Sequence, residues 1–302
     1  MIIIVSPKVI TLHLKSTIMK RIIFLSILTL FIQKGIAQEK LPFIIFDGNG
    51  RETSYKDMLK ASERAEVVLF GEEHDNAIAH WLQLELTKDL AQKKKLVLGA
   101  EMIEADNQKQ LDQYLKGEIN QKQLDSTARL WSNYKTDYKP LVDFAKTNKI
   151  PFIATNIPRR FASLVYKNGF SALENLTSEE KEWIATLPIP YDAKLPGYLK
   201  MLAMSDGHGG ENLPKSQASK DATMAYFILK NKKPETTFVH YNGTYHSDNF
   251  EGINWYLLQK EPKLKIVTIA TVTQKDIIRF EKENLHKADF ILVIDEDVTK
   301  TH

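Results

Sequence analysis

The chain has 302 residues, 43% of them hydrophobic, and 41 basic against 38 acidic side chains give a formal net charge of +3. That length suits one large domain or two small ones. The absence of cysteine excludes disulfides, thiolate catalysis, cysteine-ligated zinc and iron–sulfur clusters, so a metal would have to sit on His, carboxylate, Tyr or backbone oxygen.

The N-terminus reads as a targeting segment. From Met19 the chain runs Lys20-Arg21, then an apolar stretch over 22–32, then Gly35-Ile36-Ala37-Gln38. A basic start, a short apolar run and small residues before a cut define a secretory signal peptide. The run is shorter than the roughly 20 residues a spanning helix needs, although a retained membrane anchor is the competing reading. Cleavage is expected after Ala37, with residues 1–18 as an upstream extension. Removing residues 1–37 takes away Lys8, Lys15, Lys20, Arg21 and Lys34 and no carboxylate, so the net charge falls from +3 to about −2. A balance near zero gives no support to nucleic-acid binding, which would want a strongly basic face. No cysteine follows the signal, so a lipoprotein anchor is not expected, and the product is expected to be exported and periplasmic or envelope-associated.

Residues 38–302 are expected to form the folded domain. A short strand is predicted over 41–46 and a helix from Ser54, with its polar cap, to Leu59. The apolar run Val67-Val68-Leu69-Phe70 reads as a buried strand ending at Gly71. Helical spacing follows through Ile78, Trp81, Leu82, Leu86 and Leu90. A second buried strand covers 96–100 and ends at Glu101. Helices are predicted around 108–115, 121–130 and 138–148, then a strand over 150–154 that ends at Thr155-Asn156. Strand signals vanish between 177 and 231, where prolines and helical stretches suggest a helical subdomain at about 175–232. Strands return over 237–241, 266–270 and 290–294. Continuous apolar strands alternating with helices predict an α/β fold: a mainly parallel sheet flanked by helices, with the smaller helical subdomain inserted before the last strands.

Two copies of Gly-x-x-His follow predicted strands: Gly71-Glu72-Glu73-His74 and Gly243-Thr244-Tyr245-His246. In open α/β sheets, sites form at the carboxyl ends of strands. Glycine permits a tight turn and close backbone approach, and histidine supplies a nitrogen ligand or a base. Glu73, His74, Glu101 and His246 are therefore the candidate catalytic set. His74, Glu101 and His246 would equally suit a divalent metal held without thiolate. His240 falls inside a strand pattern, where a satisfied core histidine competes with a ligand. Arg159 and Arg160, after the strand ending at Asn156, can grip an anionic group or form structural ion pairs. Tyr191, Tyr198 and His208, in the helical region, are of the types that ligate haem iron when cysteine is absent, although a core stripe accounts for the first two as well.

The chain resembles the ChaN family of haem-binding uptake proteins, within the wider Tiki, TraB and erythromycin-esterase-like superfamily. The resemblance rests on an ordered set of segments: Phe70-Gly71-Glu72-Glu73-His74-Asp75-Asn76 with His80 and Gln83, Gly99-Ala100-Glu101-Met102, Leu111-Asp112-Gln113-Tyr114, Trp131, Ala154-Thr155-Asn156-Ile157-Pro158-Arg159-Arg160, Lys220-Asp221-Ala222-Thr223-Met224-Ala225, and Tyr241-Asn242-Gly243-Thr244-Tyr245-His246. It implies haem bound for iron acquisition at the envelope, through a Tyr ligand and within a homodimer, with an outer-membrane haem uptake system as partner. No motif places that Tyr, so Tyr191 and Tyr198 stand for it. Other branches of the superfamily imply a hydrolase instead, metal-dependent or driven by His and Glu, with His74, Glu101 and His246 reactive.

Overall fold

The computed structural model describes residues 40–204 and 210–302. The expected signal segment and His208 lie outside the described residues. The chain divides into an N-terminal unit, Met1–Leu41, and a unit Pro42–His302 that carries all the elements below. Among the described residues no helix is long and apolar enough to cross a membrane.

An eight-stranded sheet organises the larger unit. Its strands are β1 (Phe43–Asp47), β2 (Glu52–Thr53), β3 (Val67–Glu72), β4 (Lys95–Glu104), β5 (Phe152–Asn156), β6 (Thr236–Gly243), β7 (Ile266–Gln274) and β8 (Phe290–Asp295). The order is β2-β1-β8-β7-β3-β6-β4-β5. The strands from β8 to β5 are mutually parallel. β1 runs the other way, pairing antiparallel with β8 and with β2. The sheet is thus mixed, because the first apolar run pairs against the last strand and turns back as a short hairpin at the edge.

β3 is wholly buried, and its side chains alternate between two cores. Val68 and Phe70 pack with α2 (Ala77–Ala91) and α5 (Lys139–Asn148), while Val67 and Leu69 pack with α6 (Arg159–Asn168), α9 (Asn212–Asn231) and α10 (Ile253–Lys260). Burying each such side chain contributes about 1.5–3 kcal/mol. The remaining helices, in chain order, are α1 (Tyr55–Arg64), α3 (Gln108–Leu115), α4 (Gln121–Thr127), α7 (Ser178–Lys181) and α8 (Pro196–Met204). Between 175 and 232 the described residues carry α7, α8 and α9 and no strand, and Ile184, Tyr198, Ala218 and Met224 share one core with the sheet.

The chain runs outward from β3 to β4 and β5, returns to insert β6 between β3 and β4, and then crosses to β7 and β8 on the other side of β3. Reversal of strand order at β3 and β6 opens a crevice at their carboxyl ends, where α/β sheets place ligands. Both Gly-x-x-His motifs arrive there. β3 and β6 are neighbours in register, Gly71 opposite Asn242 and Glu72 opposite Gly243.

Candidate functional site

The first motif is fixed by the start of α2. Asn76 caps that helix: its side-chain oxygen accepts from the N–H groups of Ile78 and Ala79, both at 3.1 Å. The cap anchors the turn that follows β3, and His74 is turned back over the sheet edge. Its Nδ1 lies 2.9 Å from Oε1 of Glu72. Glu72 is buried and accepts two further bonds, from the Tyr138 hydroxyl at 2.7 Å and the Gln83 amide at 2.6 Å. His80 and Asn133 both hold the His74 carbonyl oxygen, each at 3.1 Å. The His74 ring meets Trp131 edge-on with centroids 4.8 Å apart, and its side chain stays 39% exposed. Burial disfavours the charged ring, but the bond to Glu72 and the nearby Glu101 outweigh it, so the His74 pKa is raised.

The second motif delivers its histidine differently. After Gly243 a 3₁₀ turn, Thr244–His246, carries the imidazole inward until only 5% of the residue is exposed. Its Nε2 lies 3.1 Å from Oε1 of Glu101, and its Nδ1 lies 2.5 Å from Oδ1 of Asp221 on α9. Both nitrogens face carboxylates, so both are donors and the ring is an imidazolium. Burial alone would lower its pKa; Glu101 and then Asp221 reverse that and push it up to about 10. Burial likewise works against the Glu101 carboxylate, yet His246 and the Gly243 N–H, at 2.7 Å, hold it well below the usual carboxylate range. Burial keeps Asp221 raised despite its contact with His246.

Gly243 is what allows the two motifs to close on each other. A Cβ at that position would stand 2.8 Å from Nε2 of His74 and 3.5 Å from Oε2 of Glu101. Gly71 similarly lets β3 pass under the second motif, since a Cβ there would lie 2.8 Å from the Thr244 Cα.

The cleft above these groups has a volume of about 560 Å³, within the range of small-molecule sites. Glu73, His74, Glu101 and His246 all line it, as do Trp131, Asn156, Arg159 and Lys220. The Glu73 carboxylate is taken by the Thr273 hydroxyl at 2.5 Å. Glu101 lies inside β4 rather than at its end, where pairing with β5 shifts register between Ala100 and Glu104. That irregularity aims its carboxylate across at β6.

Several expected site residues lie elsewhere. Arg160 does not line the cleft: its guanidinium pairs with Asp106 at 2.5 Å and lies over the Phe161 ring. Tyr191 and Tyr198 stack on each other with centroids 5.4 Å apart, in the core beneath the sheet. The Tyr198 hydroxyl faces Asp221 at 3.4 Å, behind His246 rather than in the cleft. The metal set of His74, Glu101 and His246 does not form: both nitrogens of His246 are already bound to carboxylates, and among the described residues no group of three or more His, Asp or Glu is arranged to hold a metal. His240 is a satisfied core histidine, bonded to Thr155 and Asn242, and its burial lowers its pKa to about 4.

Sequence reasoning left Asp221, Tyr138 and Lys220 out of the candidate set. Asp221 and Lys220 signalled only as part of a resembling segment, because a helix carboxylate or lysine has no local mark of function.

Comparisons with known proteins bear on the family and the fold. A family model described as haem-binding uptake, Tiki superfamily, ChaN, matches residues 58–257. A solved structure of ChaN of Campylobacter jejuni, described as showing cofacial haem binding, superposes with a TM-score of 0.64 at 20% identity, covering 85% of this chain and 98% of that one. At that identity the likeness establishes the fold. A Bacillus cereus protein has a TM-score of 0.48 at 12% identity, covering 80% of this chain and 90% of that one. An erythromycin esterase in its open conformation has a TM-score of 0.44 at 10% identity, covering 80% of this chain and 78% of that one. The sequence matches no curated protein. A model that spans residues 58–257, from α1 through α10, takes in both Gly-x-x-His motifs, Glu101 and Asp221, and the chain belongs to the ChaN haem-binding uptake family of the Tiki superfamily.

Proposed function

We propose that this protein binds haem in the cleft at the β3–β6 edge and serves haem-iron acquisition at the bacterial envelope. The observation that carries the reading is the state of His74. Its Nδ1 is tied to a buried carboxylate, Glu72, and its ring remains partly exposed in the cleft. Iron-ligating histidines are held in this way, with the far nitrogen's N–H given to a carboxylate that orients the ring and raises its basicity. Bound haem would supply the iron and its redox and ligand chemistry. The chain's own contribution is to orient the imidazole through Glu72, to present the Trp131 edge as an apolar wall, and to exclude water from Glu101 and His246 below. Tyr191, in the family role of a Tyr ligand, would have to leave its stack on Tyr198. The same reading expects a homodimer and an outer-membrane haem uptake system as partners, and export directed by the segment ending at Ala37.

The test is a haem titration of the protein lacking residues 1–37, followed through the Soret band. A saturable shift at micromolar haem is expected, with His74→Ala changing the band position. Absence of any saturable shift removes the proposal. A normal band in His74→Ala keeps haem binding and moves the iron ligand elsewhere.

One observation favours a second reading. An imidazole fixed by a buried carboxylate and partly open to the cleft is also the arrangement of a general base. His246, already protonated, would stabilise developing negative charge rather than accept a proton. An ester and amide screen decides this: turnover abolished in His74→Ala supports hydrolysis, and no turnover across the screen rejects it.

A further inference from the structure

The turn that carries His74 is gripped from outside the cleft by a segment far away in sequence. After β8 the chain returns to it. Lys300 forms an isolated antiparallel bridge with Asn76, and the Thr301 N–H donates to the Asp75 carbonyl oxygen at 2.9 Å. The Lys300 ammonium pairs with the Asp75 carboxylate at 2.7 Å, but the lysine side chain is exposed and such a pair contributes little by itself. The Thr301 hydroxyl reaches further in. It donates to Oδ2 of Asp137 at 2.8 Å, and Asp137 is 2% exposed.

Asp137 sits where the supports of His74 meet. It belongs to a π-helical turn, Tyr134–Tyr138, closed by the Lys139 N–H donating to the Tyr134 carbonyl. Such turns recur at functional sites. Asp137 and its neighbour Tyr138 are both buried. Tyr138 donates to Glu72, which orients the His74 ring. Asp137 accepts from the Asn133 amide at 2.7 Å, and the same nitrogen reaches the His74 carbonyl oxygen at 3.1 Å. His80 is shared in the same way: its Nε2 lies 3.1 Å from that carbonyl and 3.6 Å from Asp137. Among the described residues no lysine or arginine pairs with Asp137, and its other neighbour is His302 at 3.7 Å. A buried carboxylate has to be met by donors. Thr301 supplies one, which leaves Asn133 and His80 available to the His74 carbonyl. Without it, Asp137 competes for both, and the grip on His74 weakens.

We propose that Thr301 is a positioning residue for His74. The segment after β8 straps the turn over 73–76, and the Thr301 hydroxyl satisfies Asp137 so that Asn133 and His80 keep the His74 backbone, and with it the imidazole, aimed into the cleft. Thr301 acts wholly through Asp137 and touches nothing in the cleft. The consequence for haem rests on the haem reading, whereas the strap itself is a property of the haem-free protein.

Thr301→Val removes the hydroxyl at nearly constant shape, and Thr301→Ser restores it. The His74 ring-nitrogen resonances are followed by NMR in the haem-free protein, and haem is titrated through the Soret band, with circular dichroism as the check on folding. In Thr301→Val the His74 resonances are expected to move, and haem to bind roughly tenfold more weakly with a shifted band. Thr301→Ser should match the wild type on both counts. In an Asp137→Asn background, where no buried charge demands the hydroxyl, Thr301→Val should leave His74 unaffected. Unmoved His74 resonances in Thr301→Val overturn the strap, as do an effect that Thr301→Ser fails to restore and an effect of equal size in the Asp137→Asn background. Moved resonances with unaltered haem binding uphold the strap and remove His74 from the iron. If the wild type binds no haem, the haem reading fails and the His74 resonances alone decide on the strap. If Thr301→Val does not fold, the comparison of Asp137→Asn with Asp137→Asn/Thr301→Val decides: equal His74 resonances uphold the strap and different ones overturn it.

Discussion

Replacing His246 by Gln tests the electrostatic account of the cleft most directly. His246 is placed between Glu101 and Asp221, both buried, at 3.1 and 2.5 Å. The rise of its pKa from 6.5 to about 10 corresponds to roughly 5 kcal/mol of preference for the charged ring. Gln keeps some hydrogen bonding but no charge, so two buried carboxylates face each other uncompensated. Relaxation and water entry reduce the loss, and a cost of about 3–5 kcal/mol is expected, or roughly 6–20 °C in Tm for a domain of this size. The pH dependence has a definite sign. A histidine whose folded pKa is raised stabilises fully below 6.5 and loses that contribution as pH climbs toward 10. Glu101, held low, contributes above its ordinary value of 4.5 and loses its share as pH falls below it. The gap between wild type and His246→Gln is therefore widest at about pH 5–6.5 and narrows on both sides. Urea denaturation at pH 6 and pH 9.5 measures it, and adding Asp221→Asn should recover part of the loss. A cost under about 1 kcal/mol at pH 6, or further destabilisation on adding Asp221→Asn, refutes the reasoning.

Other outcomes follow from the same geometry. Glu72→Gln removes the carboxylate that raises the His74 pKa, so an NMR titration should show it falling toward 6.5; an unaltered titration would place the cause elsewhere. Gly243→Ala sets a Cβ 2.8 Å from Nε2 of His74; the partly exposed ring is expected to swing outward at about 1–3 kcal/mol, with the altered Soret band of His74→Ala, and a wild-type band would deny the close approach. Tyr138→Phe removes a donor from buried Glu72 and should destabilise by about 1–3 kcal/mol in thermal unfolding; a neutral result would mean that water replaces the hydroxyl.

The strands were legible because each is a continuous apolar run, and burial on both faces demands nothing subtler. Their ends were less so. β4 runs to Glu104, past the expected Ala100, because Met102 and Ile103 are also buried, and apolar content alone does not say where a polar residue such as Glu101 interrupts a strand without ending it. The antiparallel β1–β2 hairpin was missed because β2 is two residues long and without apolar character. At the site, His74 and His246 could be named from their glycines. Arg159 and Arg160 could not be told apart, since only the turn into α6 decides which faces the cleft and which meets Asp106. Tyr198 looked available in the sequence and is in fact packed against Tyr191 with its hydroxyl toward Asp221.

Local chemistry in the chain determined that both histidines follow buried strands through glycine turns, and that any site would use imidazole, carboxylate, Arg and Lys but no thiol. Tertiary structure alone decided that β6 returns to lie beside β3 and that α9 brings Asp221 onto the second histidine. The physical reason is the range of the interactions. Periodicity reports whether a segment is buried, whereas strand order and the contact of residues 72, 101, 221 and 246 depend on packing between parts of the chain far apart in sequence. The same Gly-x-x-His pattern consequently yields two different histidines, one partly open beside Glu72 and one enclosed as a cation between Glu101 and Asp221.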